Sequence, residues 1–118
     1  MRKVLALAAA GETATGLALL VVPSLVGRLL LGEDLTGVAI PVARVAGIAL
    51  VGLGVACWPG PPIMGMSIYS VVVALYLAYL GFAGGFGGML LWPAVLVHVA
   101  LSLLLALAQW RRNRRESP

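Results

Sequence analysis

Charge is scarce in this sequence. Charged residues are 10% of its 118 positions, against about 25% in an ordinary water-soluble domain. A soluble chain this short would lack the polar surface to cover the 62% of residues that are hydrophobic. Lipid is the solvent that suits such a composition. Cysteine is scarcer still. Cys57 stands alone, so no intrachain disulfide forms, and its place at the end of an apolar segment marks it as a small hydrophobe rather than a reactive thiol. One cysteine and one histidine, His98, make no metal site without ligands from another chain. No metal and no cofactor are expected. Also missing are a glycine-rich phosphate loop, a His-Glu-x-x-His pair and a Gly-x-Ser-x-Gly elbow. The net charge is +4, but no basic stripe with interleaved aromatics runs inside the chain, so nucleic acid is not an expected partner.

What the sequence does hold is four long apolar runs. A helix crosses the ~30 Å hydrocarbon core with ~20 residues. Runs over about 4–22, 38–58, 63–83 and 89–110 meet that length. They end at Pro23, at Pro59-Gly60-Pro61-Pro62 and at the glycines around Phe86, where a helix does not continue economically. The runs are too long for barrel strands and lack period-two alternation. The predicted fold is all-α: one transmembrane domain over 1–118, an up-down-up-down four-helix bundle with a basic tail at 111–118. Between the first two runs, Leu25, Val26, Leu29 and Leu30 alternate with Arg28, Glu33 and Asp34. That spacing fits a short amphipathic helix in the interface, and it fits an ordinary loop as well. Arg2 and Lys3 resemble the start of a signal peptide, but the apolar run resumes after Glu12, so a retained first span is expected.

Basic residues set the orientation. Arg2 and Lys3 flank the first span, and Arg111, Arg112, Arg114 and Arg115 flank the last. An even number of spans puts both sets on one side, which the positive-inside rule makes cytoplasmic. Trp58, Trp92 and Trp110 fall at span ends, where an indole favours the interface. The expected location is the bacterial inner membrane.

Lipid does not drive helices together, so small residues mark contact faces. Candidates are Gly11, Thr15 and Ala18 on the first span, and Ala39, Ala43, Gly47 and Gly54 on the second. On the third they are Ser67, Ser70, Ala74, Ala78 and Gly81. Such stripes serve contacts within one chain, in a homodimer or in a larger membrane complex alike.

Polar residues interrupt the spans, and four of them stand out. Glu12, Arg44 and His98 are ionisable, and ionisable groups in hydrocarbon are costly and seek partners. Counting ~1.5 Å per residue puts all three between the midplane and the outer third, with Tyr76 in the same band. One reading is a structural layer in which Glu12 pairs with Arg44 while His98 or Tyr76 completes the hydrogen bonds. The other is a pocket open to the outer side that takes a small apolar ligand or a quinone, or passes protons. His98, Ser102 and Gln109 form a second polar stripe on the last span. Tyr69, Tyr76 and Tyr79 fit packing better than a cofactor site.

The segments Gly-Glu-Thr-Ala-Thr-Gly from Gly11, Val-Val-Pro-Ser-Leu-Val-Gly-Arg from Val21 and Ala-Arg-Val-Ala-Gly from Ala43 resemble a group of small uncharacterised bacterial four-helix membrane proteins, loosely similar to DoxX-like proteins. The resemblance covers most of the chain. It implies a small membrane protein rather than an enzyme, and DoxX itself is associated with a quinone-linked respiratory function. The chain is also similar to small multidrug resistance transporters in its length, its four spans and a first-span glutamate, matched by Glu12. It departs from them at Arg44 and His98, in lacking their aromatic pocket, and in its strong positive-inside bias. The expected function is therefore an accessory subunit or small-ligand-binding bundle. The alternatives are a proton-coupled transporter dimer working through Glu12 and, behind it, a membrane enzyme using Glu12 and His98 as acid and base.

Overall fold

The computed structural model describes residues 2–116. Met1 and the last two residues of the basic tail, Ser117 and Pro118, lie outside the described residues. Among the described residues the protein is all-helical, with α1 (Arg2–Val21), α2 (Pro23–Leu31), α3 (Ala39–Cys57), α4 (Pro62–Phe82) and α5 (Leu91–Glu116). All but α2 are long and apolar enough to cross a bilayer. Helices end within a few residues of the expected breakers. Pro23 begins α2, where its missing N–H costs nothing. The segment after α1 is helical over nine residues, which decides between the helix and the loop.

The chain divides into two compact units, Met1–Tyr69 and Ser70–Pro118, with the boundary inside α4. In the first unit α1 and α3 meet backbone to backbone. A Cβ on Gly16 would stand 2.5 Å from the Gly47 carbonyl oxygen, and one on Gly54 would run into the Thr13 side chain and the Ala9 carbonyl. Gly16 against Gly47, and Ala9 and Thr13 against Gly54, mean that numbers fall along α1 as they rise along α3. The two helices are antiparallel. The other side of α3 meets the start of α4 in the same way, through Gly52 against Gly65 and Tyr69, and Ala56 against Gly65. Side chains larger than hydrogen at these glycines would force the helices apart.

Gly47 and Gly54 belong to the stripe expected on the second span. On α1 the contact face is different. Gly11, Thr15 and Ala18 lie on the opposite side from Ala9, Thr13 and Gly16. A Cβ on Gly11 would meet nothing within 4 Å, and Thr15 Oγ1 donates 2.8 Å back to the Gly11 carbonyl. Small residues occupy both sides of α1, so spacing does not choose between them.

Past α2 the chain folds back on it. Gly32 ends the helix in the left-handed region at φ 82, and its N–H bonds the Arg28 carbonyl at 3.1 Å. Ser24 Oγ donates to the Leu35 carbonyl at 3.1 Å, and Gly27 leaves room for the Leu35 side chain. Arg28 Nε then reaches Asp34 Oδ1 at 2.7 Å.

In the second unit the buried face of α4 is Ser70, Val73, Ala74 and Leu80, which includes two members of the expected stripe. Gly81 lets Leu91 and Trp92 close in, and Phe82 meets Trp92 edge to face at 4.9 Å. The connection between them turns at Gly85, φ 75. The helix α5 has 26 residues, about 39 Å of axis, longer than the ~30 Å core.

Candidate functional site

Polar side chains embedded in the long helices are the candidates, and each unit holds two of the four expected. In the first unit, Glu12 is exposed on α1, while Arg44 is half-buried on α3. The antiparallel register sets Glu12 level with the Val51–Leu53 stretch of α3. Arg44 lies about two turns away, roughly 10–13 Å along the axis. Among the described residues the two form no ion pair. Arg44 Nε is instead sealed from the surface with no hydrogen-bond partner. Arg44 sits one turn from Ile48, which is 2% exposed, on the flank of the strip that faces α1. A buried N–H donor with no acceptor costs about 1–3 kcal/mol, and more when charged. Arg44 as a whole is only half-buried and its terminal guanidinium nitrogens are not enclosed in this way, so they can take a carboxylate or carbonyl oxygen brought from outside the chain.

In the second unit, Tyr76 and His98 are both half-buried. Counted from the contact of Gly81 with Trp92, Tyr76 is five residues back on α4 and His98 six residues on along α5. The two therefore lie at similar distances, about 8–9 Å, along their helices. The Tyr76 ring stacks on Tyr79 at 6.4 Å. The His98 Nδ1 lies 2.7 Å from the Ala94 carbonyl oxygen. A carbonyl only accepts, so Nδ1 carries the hydrogen, and in the neutral ring Nε2 is the acceptor. Ser102 Oγ donates to the His98 carbonyl at 2.7 Å, the local backbone bond that buried serines in membrane helices favour.

Two features were not legible as sites. Ser70 is fully buried, and its Oγ has no hydrogen-bond partner. In the sequence it looks like one more small residue in a stripe. The arginines after Trp110 looked like an orientation signal alone. In the structure Arg114 stacks over the Trp110 ring at 4.9 Å, and Arg112 pairs with Glu116 at 3.2 Å. Arg111, Arg112 and Arg115 line an open groove with Ala108 and Glu116.

Near the first unit's surface, the Arg28–Asp34 pair has the clearest electrostatic effect. The Arg28 guanidinium holds the Asp34 carboxyl below its ordinary value of 3.8, first by hydrogen bonding and then by charge. Asp34 raises Arg28 in the same way. Both side chains are more than half exposed, so solvent screens the pair.

Compared with protein-family models, with curated proteins and with solved structures, the chain finds no match.

Proposed function

We propose that this chain is a small multi-pass protein of the bacterial inner membrane that works as an accessory subunit or small-ligand-binding bundle. The four long helices cross the bilayer up and down with both termini cytoplasmic, and Arg44 is the group that holds the partner or ligand. The observation that carries this reading is the guanidinium of Arg44, half-buried in the second turn of an apolar helix, with its Nε enclosed and unpartnered. A cation at such a place calls for an acceptor, and the one carboxylate of the long helices' apolar stretches, Glu12, is two turns away. The acceptor is then a partner subunit's carboxylate or carbonyl, or a ligand oxygen such as that of a quinone. Exposed Glu12 supports the same conclusion from the other side, because a carboxylate facing lipid is costly until another chain covers it.

The test is purification from membranes in mild detergent, followed by native mass spectrometry. A second chain or a bound small molecule is expected on the native protein, and Arg44→Met should release it while the chain stays in the membrane fraction. A bare monomer from both proteins would sink the proposal.

A second reading is favoured by the exposure of Glu12 alone: a proton-coupled transporter acting as a dimer through that residue. It requires Glu12→Gln to abolish proton-driven efflux from vesicles. Unchanged efflux, or none in the native protein, removes it.

A further inference from the structure

The C-terminal third of α5 joins two surfaces on one helix face. Ala108, Arg111, Arg112 and Arg115 recur at i, i+3, i+4 and i+7, which brings them onto one side. With Glu116 they line an open groove of about 380 Å³. Its charge is three guanidinium groups against one carboxylate, a surplus of two positive charges. Glu116 engages Arg112. Among the described residues Arg111 and Arg115 hold no ion pair. Up the helix the same face continues as an apolar lane: Val97, Leu101 and Leu104, 55%, 41% and 62% exposed. Arg114 and Trp110 are stacked on each other on a different side.

Length places the junction of the two surfaces. Twenty residues from Leu91 reach Trp110, and ~20 residues span the hydrocarbon core. Arg111 to Arg115 therefore begin where acyl chains give way to headgroups, and the lane below them lies at acyl depth. A ligand that fits carries a phosphate and no compensating net charge at one end and a long hydrocarbon chain at the other. Guanidinium forks match phosphate oxygens in pairs.

We propose that this face of α5 binds one anionic phospholipid, its phosphate held by Arg111 and Arg115 with Arg112 beside them, and its acyl chain lying along Val97, Leu101, Leu104 and Ala108. The site rests on α5 being a membrane span. Each arginine in contact with the phosphate contributes about a fivefold preference for the anionic headgroup, and one on the far side of the helix far less.

The full chain in mild detergent is offered equal amounts of dioleoyl phosphatidylglycerol and dioleoyl phosphatidylcholine, and the adducts are counted by native mass spectrometry. Phosphatidylglycerol is expected to dominate. Arg111→Gln with Arg115→Gln should cut that preference about 25-fold, while Arg114→Gln on the other side should change it less than twofold. Millimolar inorganic phosphate should not displace the lipid. Equal retention of the two lipids, an equal loss in Arg114→Gln, or displacement by free phosphate would each overturn the site. Alkaline carbonate extraction of native membranes is run alongside. A chain that stays with the membranes but shows no lipid preference refutes this site alone, whereas a chain that washes off refutes the membrane reading on which it rests.

Discussion

Helices α3 and α5 are both strongly apolar over a full span, yet they bury very different amounts of themselves. Along α3, Pro41, Gly47, Ile48, Gly52 and Gly54 are buried. Among the described residues of the longer α5, Val95 alone is buried, and Leu96, Leu103 and Leu104 are 68%, 67% and 62% exposed. Hydrophobicity does not explain the contrast. What α3 has and α5 lacks is glycine at the contact points, on both of its sides. Where lipid is as apolar as leucine, association comes from close packing, and glycine lets two backbones touch. Leucine-rich α5 offers bulk that suits acyl chains equally well.

The contrast can be broken most directly at Gly54. Gly54→Leu would drive a side chain into Thr13 and the Ala9 backbone, and overpacking of this kind costs about 1–3 kcal/mol or more. Gly54→Leu should lower the thermal midpoint in detergent by the largest margin of any single change here. Leu104→Ala on α5 should stay within about 0.5 kcal/mol of the native chain, as for other exposed positions. Equal losses from the two would show that leucine contacts hold α5 as tightly as glycine contacts hold α3.

A smaller effect of opposite sign is expected at Arg44. Arg44 Nε is enclosed without a partner, so Arg44→Met removes that desolvation and should raise the melting midpoint, by an amount on the order of 1 kcal/mol. This applies to the chain freed of any partner. A fall in stability instead would mean that Arg44 is well paired within the fold, and the reading built on it would fail.

The smallest effect belongs to Arg28 and Asp34. Because the folded protein holds the Asp34 carboxyl below 3.8, the pair's contribution is complete above that pH. It is lost as pH falls through the lower folded value. Relative to the intrinsic chemical rate, hydrogen exchange in the 32–38 segment should quicken over that acid window, and should quicken at neutral pH in Asp34→Asn. Salt should weaken the native difference, as it does for exposed pairs. Exchange that is flat through the window would mean that the turn is held by Ser24 and Gly27 without help from the ion pair.

Helix positions were largely legible from the sequence. Proline and glycine clusters interrupt apolar runs that are otherwise uniform, and Trp58 closes α3 as its place at a span end suggested. Contact faces were legible only where one side of a helix holds the small residues, as on α4. On α1 the small residues surround the helix, so the outward Gly11 side looked as good as the inward Gly16 side. The polar groups were legible as residues but not as partners. Glu12 and Arg44 lie at comparable estimated depths, and an error of a few residues in where each span begins hides a two-turn offset.

The sequence by itself determined that this chain has four helices long and apolar enough to span a bilayer, and where they stop. Composition and backbone breakers act locally, and no neighbour is needed to feel them. Only the tertiary structure decided that α1 meets α3 through Gly16 and Gly47, and that Gly52 meets Gly65. It alone decided that Arg44 Nε is enclosed without Glu12 beside it. Those outcomes depend on the register between helices, which is set by how closely particular backbones approach, and no property of a single helix records it.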